Sequence, residues 1–155
     1  LGLVPVKFFY QLFFFNATGE EAGWRGFALP RLQARTSPLI AALITGVFWT
    51  LWHFFYWQGQ GLPIMTVDFW AQMLTGHILL SLLITWIYNR AKGSILVAGI
   101  AHAAANTAQA FLSNQIWGIC LVWAVIALVL ILVDRMWKKL PPDHPAIFRE
   151  TARSE

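Results

Sequence analysis

Charge is what this chain has least of. Lys, Arg, Asp and Glu make up 12% of its 155 residues, against roughly 25% in an ordinary soluble domain. With 58% hydrophobic residues, the chain has too few polar groups to cover a soluble surface and reads as an integral membrane protein. Cysteine is nearly absent as well. Cys120 stands alone in an apolar run, which excludes a disulfide framework or a cysteine metal cluster. The net charge is +4, yet there is no basic patch interleaved with aromatics, so nucleic acid is set aside as a partner. The chain begins at Leu1, with neither an initiator methionine nor a basic n-region, so its first apolar run does not read as a signal peptide. The expectation is a chain that lacks its natural N-terminus and one or more upstream helices.

What is present is a succession of apolar runs, each near the roughly 20 residues that cross a bilayer as a helix. The first, about 3–21, is dense in phenylalanine and ends in Glu20 and Glu21. Residues 23–38 read as a connector with Arg25, Arg31, Arg35 and two prolines, part of it a short interfacial helix. The second run, 39–57, is apolar apart from Thr45, Thr50 and His53, and ends in Trp49, Trp52, Tyr56 and Trp57, the aromatic signature of a membrane interface. The third, 69–88, precedes Arg90 and Lys92. The fourth, 94–112, is rich in alanine and glycine, residues that let helices approach closely in lipid, and is expected at the centre of the bundle. The fifth, 116–133, is a plain aliphatic run expected to face lipid. The fold expected is therefore all-α: a polytopic transmembrane bundle of about five spans over 1–137, with a polar tail over 138–155. Pro141-Pro142 keeps the start of that tail from being helical.

Five crossings place ten of the eleven basic residues on one side, leaving only Lys7 elsewhere; the opposite loops, 58–68 and 113–115, hold no Lys or Arg. By the positive-inside rule the basic loops and the tail are cytoplasmic, at the plasma membrane if the source is bacterial.

Few groups in these spans can carry chemistry. Glu21 and Arg25 stand at i and i+4 in the favourable order for an ion pair, and Glu20 points about 100° away. Two adjacent carboxylates in low dielectric oppose one another's ionisation, and a carboxylate so poised suits a general base for water. The competing reading is a solvated charge cap at the interface. His53 lies one turn after Trp49 and is either a buried, hydrogen-bonded residue or a site residue. His102 and Asn106, also at i and i+4, share one helix face. Paired donors there suit an oxyanion, or else form an interhelical hydrogen-bond pair.

Glu-Glu-x-x-x-Arg (20–25), aromatic-x-x-x-His (49–53) and His-x-x-x-Asn (102–106), in that order on separate spans, resemble the CPBP family. These are intramembrane proteases of CAAX prenyl-protein and bacteriocin processing, and they include the type II CAAX prenyl endopeptidases. The resemblance covers about residues 18–106 and includes Gly26 and the turn from Tyr88 to Ser94. It implies an endopeptidase acting on a membrane-associated protein or peptide in the bilayer. Glu20 would be the base on water, with His53 helping to hold that water; Glu21 and Arg25 would order the site, and His102 and Asn106 would line the oxyanion pocket. The family usually has Phe where this chain has Trp49, a departure expected to affect shape more than chemistry. A metalloprotease would hold a divalent ion such as Zn2+ on Glu20, His53 and His102. A glutamate mechanism without metal fits the same residues and is the one favoured. Signatures of other proteases are missing: there is no His-Glu-x-x-His, Gly-x-Gly-Asp or Gly-x-Ser-Gly. The rival function is a non-catalytic membrane immunity or peptide-binding protein using the same polar cluster.

The remaining polar residues read as structural: His77 outside the three motifs, with a place facing the site as the alternative; Asp68 as the cap of the third span; Cys120 in apolar surroundings; and His144 with no evident role. One expectation is strained. Counted from the basic side, His53 lies about 22 Å and His102 about 12 Å along their helices, so equal depth requires a displaced or tilted span.

Overall fold

The computed structural model describes residues 2–112 and 116–148, of which 16–18 are described in backbone only. Leu1, the loop 113–115 and the tail's last residues, 149–155, with Arg149 and Arg153, lie outside the described residues. The described chain is helical, without strands. Its elements are α1 (Val4–Tyr10), a π-helical stretch (Gln11–Glu20), α2 (Glu21–Gly23), a second π-helical stretch (Trp24–Ala28), α3 (Leu29–Arg35), α4 (Pro38–Trp52), α5 (Phe54–Gly59), α6 (Val67–Arg90), α7 (Ile95–Phe111) and α8 (Ile116–Val133). Three helical segments, Pro38–Gly59, Val67–Arg90 and Ile116–Val133, are long and apolar enough to cross a membrane, and Val4–Phe15 and Ile95–Phe111 are shorter apolar helices. This is a membrane helix bundle.

The connector expected over 23–38 is instead helical as far as Arg35. Glu20, Gly23 and Ala28, which sit at its internal junctions, all keep helical backbone angles, so α1 to α3 form one helix with wide π turns at 11–20 and 24–28. π turns are rare and gather at functional sites; here they contain Glu20 and Arg25 and flank Glu21. The chain breaks only at Thr36, which is extended, before Ser37 caps α4 through its hydroxyl.

The central helix is α6, not the small-residue helix α7. It packs against α4, α7 and α8, whereas α7 packs against the first helix and α6. The reason lies at Gly46. A Cβ there would stand 2.8 Å from the Ile78 Cα and 3.3 Å from the His77 carbonyl oxygen, so α4 and α6 touch backbone to backbone. Ser81 locks the same contact by donating to the Ala42 carbonyl at 2.9 Å. Small residues of α7 (Ala98, Gly99 and Ala103) are buried, and α8 leaves most of its aliphatic side chains exposed, as a lipid-facing helix does. Cys120 is buried. The cap of α6 is Thr66, whose hydroxyl accepts from the Phe69 N–H; Asp68 instead accepts from Gln72, one turn on.

Past α8 the chain folds back. The Met136 carbonyl accepts the Leu39 N–H at 3.0 Å, serving a donor that the start of α4 leaves open, and Phe148 N–H donates to the Pro30 carbonyl. Gln33 and Asn89 exchange amide hydrogen bonds at 2.8 and 3.0 Å, and Gln33 also reaches the Ala146 carbonyl. Residues 136–148 are thus pinned beneath α3, α4 and α6 at the basic end.

Candidate active site

The charged and imidazole side chains of the motifs gather around one indole. Trp49 is 1% exposed. Its Nε1 donates to Glu20 Oε2 at 2.6 Å, and its carbonyl accepts from His53 Nδ1 at 2.9 Å. Its ring meets His77 and His102 edge-on, both with centroids 4.9 Å away, and the Arg25 guanidinium lies 4.9 Å from the ring centroid. Trp49 therefore touches five polar groups from four helices.

The His53 contact also explains a break in the helix. In a regular turn the Trp49 carbonyl would receive the His53 N–H. The imidazole takes that acceptor, and the His53 N–H turns to Thr50 at 3.2 Å. The helix yields there, α4 ending and α5 beginning one residue later. A side chain inserted into the backbone ladder is an established cause of such bends. Because a carbonyl only accepts, His53 carries its proton on Nδ1, and its Nε2 is an acceptor while the ring is neutral. That Nε2 stands 3.9 Å from Glu20 Oε2, too far for a direct bond and suited to a bridging water. Glu20 and His53 side chains are 14% and 15% exposed.

Glu21 faces another way and has another fate. It is fully buried with Arg25, whose Nη1 donates to Glu21 Oε1 at 2.9 Å, and His102 Nδ1 donates to the same oxygen at 2.8 Å. The solvated charge cap is thereby excluded for Glu21 and Arg25. Glu21 Oε2 and Arg25 Nε and Nη2 have no hydrogen-bond partner among the described residues; the face of Trp49 supplies part of the compensation for the guanidinium, as an aromatic ring does for a desolvated cation.

Beside this cluster lies a cavity of about 260 Å³, lined in part by Trp49, His53, His77, His102 and Asn106. His102 and Asn106 share the face of α7 that their spacing predicted. The Asn106 amide is engaged by no described residue. His77, read from sequence as structural, lines the same cavity. Its Nδ1 donates to the Met73 carbonyl at 2.8 Å, leaving Nε2 as its acceptor, and its ring lies 4.9 Å from that of His53. Nothing in the local sequence marks it; only the Gly46 crossing brings it opposite Trp49. Glu20 does not line the cavity itself but joins it through Trp49 and His53, which do.

The depth discrepancy is gone, since His53, His102 and Glu20 all meet Trp49 or each other. The three do not form a metal cage, however: among the described residues no group of three His, Cys, Asp or Glu side chains is placed to hold one ion. The Trp49 departure concerns chemistry as well as shape, because its N–H binds Glu20 and a phenyl ring has none.

Residues 3–108 match the family model described as type II CAAX prenyl endopeptidase Rce1-like. The chain is also 35% identical over 115 residues to a protein of Methanococcus maripaludis named CAAX prenyl protease 2; the alignment covers 71% of this chain and 41% of that relative. The chain thus spans less than half the length of the curated relative it matches. No solved structure matches.

Proposed function

Because the chain belongs to the type II CAAX prenyl endopeptidase Rce1-like family, we propose that it is the catalytic part of an intramembrane endopeptidase, with Glu20 as general base. The observation that carries this reading is the 3.9 Å separation of Glu20 Oε2 and His53 Nε2 beside a cavity lined by His102 and Asn106. A water between the first pair donates one hydrogen to the carboxylate and the other to the imidazole, leaving a lone pair free for attack. As its oxygen bonds to the scissile carbonyl carbon, Glu20 takes the proton. The carbonyl electrons move to oxygen, and the Asn106 amide donates to that oxyanion. His102 gives its Nδ1 proton to Glu21 Oε1, so its neutral ring turns Nε2 to the cavity as an acceptor and borders the pocket in which Asn106 is the donor. Collapse of the tetrahedral carbon breaks the C–N bond, and Glu20 returns the proton to the leaving nitrogen. The second proton of the water stays on the new carboxyl group, so the products are a carboxylic acid and an amine, which leave as carboxylate and ammonium once that proton has passed from one to the other.

Glu21 and Arg25 act through His102, and Trp49 acts through Glu20 and His53; these three are positioning residues. The substrate is a membrane-associated protein or peptide, and the relative's name puts a prenylated C-terminal peptide first among those to test. The basic end of the bundle faces the cytoplasm in this reading, as the distribution of Lys and Arg supports. The test is Glu20→Gln, which keeps the Trp49 hydrogen-bond acceptor and removes the base. Cleavage of a farnesylated peptide by protein in vesicles should fall about 10²- to 10⁴-fold with the fold intact. A variant that cleaves at the wild-type rate would overturn the proposal.

A further inference from the structure

A further concavity lies at the basic end of the bundle, where the segment after α8 folds back beneath α4 and α6. It has a volume of about 350 Å³. Its chemistry is one-sided. Arg90, Arg135, Lys138 and Lys139 line it, with Asp134 as the one carboxylate. That carboxylate is already committed. Arg90 Nη2 donates to its Oδ1, and Arg90 Nε at 2.7 Å and Trp86 Nε1 donate to its Oδ2. Arg90 and Asp134 therefore cancel, and Arg135, Lys138 and Lys139 form no ion pair with any described residue. His144, also in the wall, accepts the Ala146 N–H on Nδ1, so its Nε2 carries the proton and adds a donor. The site is rich in donors and its acceptor is saturated.

The second observation is where it opens. Trp86 and Arg90 stand in the last turn of α6, and Asp134 and Arg135 directly follow α8; both helices are long enough to cross a bilayer. Below it, Leu128, Val129, Leu132 and Val133 of α8 and the ring of Trp137 are exposed. A ligand here has an anionic head among cations and an apolar body along an aliphatic face. Arg135 is also held at φ 50°, a left-handed conformation that costs a non-glycine residue free energy and survives where the surroundings impose it.

We propose that this crevice is a binding site for the phosphate-bearing headgroup of an anionic glycerophospholipid, whose acyl chains lie along α8. Occupation fastens the returning segment 134–148 beneath α4 and α6, independently of whether the bundle cleaves peptide bonds. The occupant is a lipid and not a soluble phosphate, because the aliphatic face continues directly from the cationic walls.

The test is native mass spectrometry of the whole protein in detergent, titrated with phosphatidylglycerol, with phosphatidylcholine and, separately, with inorganic phosphate. Retention of phosphatidylglycerol at least tenfold tighter than phosphatidylcholine is expected. Lys138→Gln with Lys139→Gln should weaken it, by about fivefold for each cation removed. Arg35→Gln, a cation at the same end outside the crevice, should leave it unchanged. Equal retention of the two lipids would overturn the site. So would an equal loss with Arg35→Gln, which would mean a diffuse surface potential, and so would inorganic phosphate binding as tightly as the lipid. Thermal unfolding of each variant without lipid separates lost binding from lost fold, and an unfolded double variant is replaced by Arg135→Gln with the same expected direction.

Discussion

Glu20 accepts one hydrogen bond, from the Trp49 indole, and stays 14% exposed beside His53, whereas Glu21, one residue later, is fully buried and holds Arg25 and His102 on a single oxygen. The same side chain therefore meets two environments on adjacent faces of one helix. Glu21 is held by two donors on one oxygen, so its part is to keep Arg25 and His102 in place. Glu20 keeps an oxygen beside an open site and an imidazole acceptor opposite, the arrangement a water-activating base requires. The difference is produced by helix geometry: adjacent residues diverge by about 100°, and only one of the two directions points at α7.

The contrast can be broken by exchanging the losses. Glu21→Ala leaves Arg25 buried without its counter-ion and should destabilise the bundle by about 3–5 kcal/mol, seen as earlier thermal unfolding in detergent. Glu20→Gln, which keeps an acceptor for the Trp49 N–H, should stay within about 1 kcal/mol of the wild type while cleavage is lost. Equal unfolding temperatures for the two variants would remove the distinction between a structural and a reactive carboxylate.

Trp49→Phe sharpens the comparison on the Glu20 side. It keeps the ring against His77 and His102 but deletes the N–H that orients Glu20. A hydrogen bond to a charged group is worth about 1.5–3 kcal/mol, so kcat should fall at least about tenfold with KM little changed. A variant that loses only stability would assign Trp49 to packing alone.

The smallest effect belongs to the basic end. The Arg90 guanidinium, through its hydrogen bonds, holds the Asp134 carboxyl below the usual carboxylate range. A depressed native value means that the contact contributes stability above the unfolded titration, near ~3.9 for Asp, and loses it as pH falls through the native value. Asp134→Asn should therefore flatten the acid limb of the stability curve slightly and leave neutral-pH cleavage unaffected. An unchanged acid limb would show that the exposed pair contributes nothing.

Much of this arrangement was legible in the residues. The apolar runs predicted a helix bundle because hydrocarbon tolerates no unpaired backbone, and the i, i+4 spacings placed Glu21 with Arg25 and His102 with Asn106. Two features misled. Arg25, Arg31 and two prolines looked like a connector, yet the helix runs on to Arg35 through π turns, since its buried face finds partners in α4 and α7. The alanines of α7 suggested a central helix, whereas one glycine, Gly46, decided the closest crossing.

By itself, then, the sequence determined that the protein is helical and membrane-embedded, and which few side chains carry charge within the apolar runs, because burial in lipid restricts both choices to what local composition shows. Only the tertiary structure decided that Glu20 and not Glu21 stays partly exposed, that Trp49 is the common partner, and that His77 joins the cavity. Those outcomes depend on how α4 crosses α6 and where the first helix meets α7, contacts between residues dozens of positions apart that no local pattern encodes.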